Sequence, residues 1–448
     1  MGEFRQAQER RCSENAKRSF RYAPITDTIK DEMLSAIGLS SVEELFAGIP
    51  GSLKSDGLDL PEGLSELALR RRAESLAAKN KVYPTVLRGM GAYRHYIPSI
   101  VKEVPSRATF LTAYTPYQAE VSQGILQAIF EWQSDICRLT DMDASNASVY
   151  DGAVAAAEAA AMCVDRGRRT ILIADTVFTD TIEVVKTYAR ATDYPVQTVS
   201  VGAISNCQPF ASAACLILQS PNKYGIIEDV RSIADACHAA GVKLILSVNP
   251  VSLALFKTPG ELGADIAVGE AQPFGLPLGF GGPYLGFMAC KKDMMRKLPG
   301  RIVGETRDAK GNKAYVLTLQ AREQHIRRER ASSSICTNQA LCALTATVYL
   351  AYMGKQGLRG VAEQCYAKAH YLKDRLAETG LPLKYEGEFF NEFLTEAPRD
   401  INLLLKKLDE AGILGGMPVD GGILWAVTEM NTRDELDKTA AIVKEVIG

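Results

Sequence analysis

The stretch ADIAVGEAQPFGLPLGFGGPYLG, residues 264–286, decides how this chain is read. An apolar run of strand character ends at Gly269, passes through alternating prolines and glycines, and closes on Gly281, Gly282 and Pro283. A Gly-Gly-Pro turn after a sheet strand lets the backbone make a tight excursion at the C-terminal edge of the sheet. Ligands of open α/β sheets sit at that edge. A turn of purely structural role is the alternative on these residues alone. No lysine occurs between Lys257 and Lys291, so any chemistry at this turn has to do without one.

Upstream of the turn, helical and β-rich segments alternate. The order is helix GAVAAAEAAAMCVD, strand TILIAD, helix TDTIEVVKTYARA, strands VQTVSV and ACLILQS, helix IEDVRSIADACHAAG, then strands KLILSV and ADIAVG. Such alternation predicts an α/β fold with a doubly wound, mainly parallel sheet covered on both faces. A long helix is expected from Gln118 to Leu139, where Val121, Ile125, Ile129, Ile136 and their neighbours keep helical spacing. Residues 1–110 read as an N-terminal extension and helical arm with few strand candidates, and Ser41 with Glu44 fits a capping box there. The large α/β domain is expected over 111–320 and a smaller α+β domain over 321–448.

With 448 residues, 47% of them hydrophobic, and a net charge of -2, nothing points to nucleic acid or a bilayer. No uninterrupted apolar run is long enough to span a membrane. The ten cysteines are scattered, without a C-x-x-C or a Cys/His spacing typical of a zinc site, which predicts neither a metal site nor a disulfide framework and fits a reducing, cytoplasmic setting. The first residues are basic but interrupted by Glu3, Glu9 and Glu14, and read as a frayed extension rather than a targeting segment.

Four further constellations are candidates for function. Asp151 and Gly152 open an alanine-rich helix whose free N–H groups could hold phosphate, or which Asp151, itself an anion, caps. Asn249 ends the strand KLILSV; an acid at such a place could hold a protonated heterocycle, whereas an amide brings no charge. Tyr93, His95, Tyr96, Tyr114, Thr115, Tyr117 and Gln118 sit in Pro- and Gly-bounded segments, suited either to a small polar ligand or protein contact or to packing of the arm. Arg322, Arg327, Arg328 and Arg330, interleaved with Glu323 and Glu329, read as a salt-bridged solvated face or as a docking surface for an acidic partner.

Taken together, RYAPITDTIKDEML (21–34), GMGAYRHYIP (89–98), TAYTPYQAEVSQGILQAIFEWQ (112–133), ASVYDGAVAAAEAA (147–160) and REQHIRRERASSSICTNQAL (322–341) resemble the glycine-cleavage-system P-protein family. The resemblance runs from about Phe20 to the C-terminus and is to the N-terminal-half, lysine-less type of subunit. It implies a pyridoxal-phosphate (PLP) enzyme fold of type I, and glycine decarboxylation with transfer of the aminomethyl group to the lipoyl arm of H-protein. In the lysine-bearing paralogue a His-Lys pair stands a fixed distance before the Gly-Gly-Pro turn. Here that distance lands on Ala271 and Gln272. Asn249, Val154 and Ser334 are further departures, where Asp, Thr and Asn are usual in the family.

The resemblance therefore implies that PLP is held by a lysine-bearing second subunit and is not covalently bound here, since an amide forms no imine with an aldehyde. Asp151, Gly152, Asn249, Gln272, Gly281 and Gly282 would be a vestigial cofactor site. The tyrosines, His95, Thr115 and Gln118 would contribute to a shared site or its entrance. The alternative is a non-catalytic subunit that stabilises its partner and docks H-protein through the arginine cluster. A lone PLP enzyme using Lys223, Lys257 or Lys291 ranks last, because none has the needed spacing.

Overall fold

The apolar runs of the middle segment become strands buried on both faces. The computed structural model describes residues 25–54, 57, 59–113, 116–204, 210, 212–335 and 337–447. The basic N-terminal extension, Tyr114 and Thr115 lie outside them. The central sheet contains β1 (Ala144–Ser145), β2 (Thr170–Ala174), β3 (Val196–Val199), β4 (Ala213–Gln219), β5 (Lys243–Val248), β6 (Ile266–Glu270) and β7 (Gly286–Cys290). Their order is β1-β7-β6-β5-β4-β2-β3. Strands β2 to β6 pair in parallel, with Leu218 opposite Leu246 and Ile245 opposite Ile266, while β7 runs antiparallel to β6 and to β1. Every residue of β2, β4 and β7 is buried, whereas the edge strand β3 is polar and half-exposed, as an edge requires.

By compactness the chain divides between Lys81 and Val82. The first unit holds helices α1 (Asp27–Ala36) and α2 (Glu66–Ala77) and, among its described residues, buries only Leu34, so it has almost no core. The expected capping box is shifted by one residue. Glu44 accepts the Ser40 N–H at 3.2 Å and both serine hydroxyls, and it lies within a single 3-10 turn, Glu43–Phe46.

The boundaries expected at 110 and 320 both fall inside the second unit. Thr85–Val86, expected in the arm, pair in parallel with Ile413–Leu414, and Leu87 belongs to the core around Phe393, Trp425 and Leu404. Helix α3 (Gln123–Thr140) starts later than its apolar spacing suggests. The Gln123 carboxamide exchanges hydrogen bonds with the Tyr315 backbone at 2.8 and 2.9 Å, which fixes the first turn there and leaves Val121 76% exposed. Helices α4 (Gly152–Cys163), α5 (Thr179–Arg190) and α6 (Val230–Ala239) connect the parallel strands as expected. A hairpin of β8 (Val303–Arg307) and β9 (Lys313–Leu317) leads to α7 (Ala340–Ala377), which breaks at Gly354. The C-terminal part adds an antiparallel sheet, in the order β10 (Glu392–Glu396), β12 (Gly422–Ala426), β11 (Met417–Val419), with helices α8 (Ile401–Glu410) and α9 (Arg433–Ile447).

Two cores result. The larger one fills both faces of the central sheet around Trp132, Phe274, Phe287 and Tyr349. The smaller one sits behind β10 and β12. Burial of each such aromatic contributes roughly 2–3 kcal/mol. Because residues 82–98 are pinned to the smaller core, they reach the central sheet in one defined register.

Candidate functional site

A cavity of about 410 Å³ opens at the C-terminal ends of the parallel strands. Its floor comes from the ends of β5 and β6 through Ser247, Asn249 and Glu270, and one side from the start of α4. Residues 90–93, with Asn391 and the β10 residue Glu392, close the other side. Tyr150, Phe178 and Tyr284 supply aromatic walls.

Gln272 lies just behind this cavity and is 1% exposed. Its Nε2 donates to the carbonyls of Tyr93 (3.0 Å) and Leu276 (2.7 Å), and its Oε1 accepts the Tyr93 N–H at 3.0 Å. The side chain is fully satisfied by backbone. It thus staples residues 90–93 to the glycine-rich loop, and only a planar amide of this length offers both donors and an acceptor there.

The start of α4 is capped from within. Asp151 Oδ1 accepts the Val154 N–H at 2.8 Å, and Glu270 Oε2 accepts that of Gly152 at 3.1 Å. A Cβ on Gly152 would meet the Glu270 nitrogen at 2.9 Å, so glycine is what lets helix and strand approach. Glu270 Oε1 also accepts the Gln272 and Leu285 N–H groups, each at 2.9 Å. Burial pushes the Glu270 carboxyl up to about 7 despite these donors, with the Asp151 charge adding to the rise. Glu392, buried among the Met90 N–H (2.6 Å) and the Tyr93 hydroxyl (2.6 Å), is likewise pushed by burial up to about 7. Burial first, and then the Glu392 charge, hold the Tyr93 phenol well above its ordinary range.

Other expected site residues are placed elsewhere. His95 is buried, with Nδ1 2.7 Å from Glu429 Oε2. Burial would raise the Glu429 carboxyl, but His95 and the Tyr96 N–H together bring it below its usual value. The donor atoms of His95, Cys365 and Glu429 lie within 4.8 Å of one another, a three-ligand set already joined internally by hydrogen bonds. Tyr96 is 59% exposed, and Gln118 is exposed before α3. The Tyr117 hydroxyl bonds to Asn338 while its ring packs under Arg301, so it serves the fold of this chain. Gly281 and Gly282 form the rim turn with φ of 101° and 137°, beside a fully exposed Phe280.

The arginines separate. Arg322 turns inward and donates to the Gly300 carbonyl at 2.7 Å, with burial lowering its pKa. Arg327, Arg328 and Arg330 remain exposed. The sequence does not single out Glu270, Asn391 or Glu392. Glu270 directly follows an apolar run and carries a signal there, whereas Glu392, in an ordinary strand segment, carries none.

Whether PLP fits here depends on two groups, an amine for its aldehyde and a cradle for its phosphate. Among the described residues lining the cavity there is no lysine, arginine or histidine, and there are four acids, Asp151, Asp180, Glu270 and Glu392. Two of the N–H groups a phosphate would use, those of Gly152 and Val154, are taken by carboxylates. The residues present do not fit PLP.

The family model of the glycine cleavage system P-protein matches residues 20–443. The chain belongs to the glycine cleavage system P-protein family. It is 49% identical over 436 residues to the probable glycine dehydrogenase (decarboxylating) subunit 1 of Syntrophomonas wolfei, with 94% of this chain and 99% of that one covered. Against the protein of the same name from Thermomicrobium roseum it is 45% identical, with 95% and 99% covered. The crystal structure of an inhibitor-bound glycine decarboxylase, the P-protein of the glycine cleavage system, superposes with a TM-score of 0.88 at 40% identity, covering 95% of this chain and 100% of that one. A mutant cystine C–S lyase with glycine covalently linked to its PLP cofactor shares the fold at a TM-score of 0.60 and 15% identity, covering 84% and 99%. The P-protein architecture here is thus that of the type I PLP-dependent enzymes. Among the described residues no helix is long and apolar enough to cross a membrane.

The P-protein cavity can be tested at Gln272 and at Glu392. Gln272→Lys takes away the acceptor of the Tyr93 N–H and buries an ammonium, which lowers stability by roughly 3 kcal/mol or more, read from the denaturant midpoint. Added PLP gives this variant no visible aldimine absorbance, because the phosphate still meets Asp151 and Glu270. A clear aldimine band would contradict the geometry. Separately, a carboxyl whose folded pKa is raised stabilises the chain below the unfolded value of 4.5, and that contribution is lost as pH climbs through about 7. Glu392→Gln abolishes the loss. Its stability relative to the parent therefore rises by on the order of 3 kcal/mol from about pH 5 to about pH 8, and a pH-independent difference would refute the assignment.

Proposed function

We propose that this chain is the lysine-less subunit of a two-subunit glycine decarboxylase, working with a PLP-bearing, lysine-containing partner and with lipoylated H-protein. One observation carries this reading. Gln272, at the position the family's spacing gives to lysine, has every amide hydrogen and its oxygen bound to backbone, in a cavity without a cationic side chain among its described lining. A P-protein chain so built has no means of holding the cofactor itself, so the chemistry needs a second chain. In the reaction proposed for the pair, the α-carbon of glycine loses its carboxylate as CO2 and bonds to a lipoyl sulfur. The disulfide is reduced to one thiol and one aminomethyl thioether, and the partner's PLP supplies the electron sink.

In this arrangement the chain's own part is positional. Its rim turn with Phe280, together with the exposed Tyr96 and Gln118, is the surface proposed to complete and shield the partner's site from water. The exposed Arg327, Arg328 and Arg330 are proposed to dock an acidic surface of H-protein, while Arg322 is an internal bond to Gly300 and takes no part. A cytoplasmic setting belongs to the same reading, supported by cysteines that stay free thiols, Cys163, Cys215 and Cys290 among them.

The central test measures exchange of labelled CO2 into the glycine carboxylate by the lysine-bearing subunit, with and without this chain. Activity that needs both chains is expected. Full activity of the partner alone would remove the shared-site reading and leave a stabilising role. Reversing Arg327 and Arg328 to Glu is expected to raise the Kd for H-protein roughly tenfold at low salt and to flatten its salt dependence. An unchanged affinity and salt dependence would remove the docking surface.

A further inference from the structure

The cavity that rejects PLP is nevertheless built as a binding site. Asn391 is 2% exposed, lines the cavity, and its Nδ2 has no hydrogen-bond partner. Asn249, just beyond the end of β5, also lines the cavity, and its amide faces the Tyr93 hydroxyl oxygen, which eases the phenol's pKa slightly downward. Buried amide donors are almost always satisfied, and the orphan on Asn391 marks a place for an acceptor. Around them stand Glu270 and Glu392 with Asp151 and Asp180, and no cationic side chain among the described lining residues offsets their charge. The walls include Tyr150, Phe178 and Tyr284, whose ring faces favour a cation over an anion.

We propose that this cavity is a binding site for a cationic amine carrying a neutral hydrogen-bond acceptor such as an amide carbonyl. The ammonium sits against Glu392 and Glu270, and the acceptor receives the Asn391 amide. Burial holds the two carboxyls near 7 because no positive group faces them, and an ammonium is the missing group. A carboxylate or phosphate ligand would satisfy Asn391 but confront four acids. An uncharged amide would satisfy Asn391 and leave the carboxyls as they are. Only the combination answers both halves of the lining. With about 410 Å³ available, amines considerably larger than the smallest example fit.

The inference goes beyond the two-subunit reading and does not depend on it, since it concerns this chain alone. Calorimetric titration of the full-length chain tests it with four probes: glycinamide, which has both groups; ethylammonium, which has only the charge; acetamide, which has only the acceptor; and inorganic phosphate. Glycinamide is expected to saturate one site at least tenfold more tightly than ethylammonium or acetamide, with phosphate neither binding nor displacing it. Glu392→Gln should weaken glycinamide at least tenfold, and Asn391→Leu should reduce it to the level of ethylammonium. The probe series on the unaltered chain decides the matter even where a variant does not fold. Glycinamide binding no tighter than acetamide, saturable phosphate binding, or unchanged affinity in both folded variants would each overturn the proposal. A negative CO2-exchange result with the partner would leave the titration untouched.

Discussion

The three hydrogen bonds of the Gln272 carboxamide hold together segments 179 residues apart in sequence. On one side is the glycine-rich loop that leaves β6, and on the other the extended run that carries Tyr93. That run is in turn fixed at both ends. Arg88 donates to the Gly415 and Gly416 carbonyls, and Thr428 donates to the Arg94 carbonyl at 2.8 Å. The position of Tyr93 therefore depends on both cores at once, and Tyr93 positions Glu392 through its hydroxyl. Removing the staple would leave buried amide and carbonyl groups with no water to turn to, so the loop and the run order together or not at all.

Such a staple explains why a glutamine suits the loop that leaves β6. Position 272 is deeply enclosed. A lysine there would bury a charge at a cost of several kcal/mol. Glutamine has a similar reach, carries no charge, and meets three backbone groups. The helix start is treated in the same way, with carboxylates of Asp151 and Glu270 occupying the N–H groups that an anionic ligand would use. The shape of the helix start is therefore retained by internal bonds.

Much of this architecture is legible in the sequence. The doubly buried strands announce themselves as unbroken apolar runs, and helices α4, α5 and α6 as the segments between them, because burial on both faces leaves no room for polar residues. Asp151, Gly152, Asn249 and Gly281 can be placed at the cavity because they stand where strands end and helices begin. What cannot be read is set by long-range contacts. Thr85–Val86 looks like part of an arm, since two residues carry no periodicity, and its partner lies beyond residue 410. The start of α3 is masked by apolar residues that continue its spacing backwards, while the Gln123 bonds to Tyr315 decide it. Tyr117 looks like a loop residue free for a ligand, and its engagement with Asn338 and Arg301 is invisible without the fold.

Glu392 and Asn391 show why the site's chemistry lies deepest. They stand at a short strand of the smaller sheet, where an acid and an amide would ordinarily face solvent. Here β10 pairs with β12 so that Glu392 stands opposite Ala426 in register, and the run through Met90 and Tyr93 covers it. A carboxyl enclosed in that way, with no cation opposite, raises its pKa instead of pairing. Chains that fold for stability alone tend to replace such a group by an apolar residue, since unpaired buried acids are costly. Glu270 and Glu392 are both held at that cost around one cavity, with the orphaned Asn391 amide in the same lining. That concentration of unsatisfied polarity in a single space is what separates a retained binding site from a collapsed one.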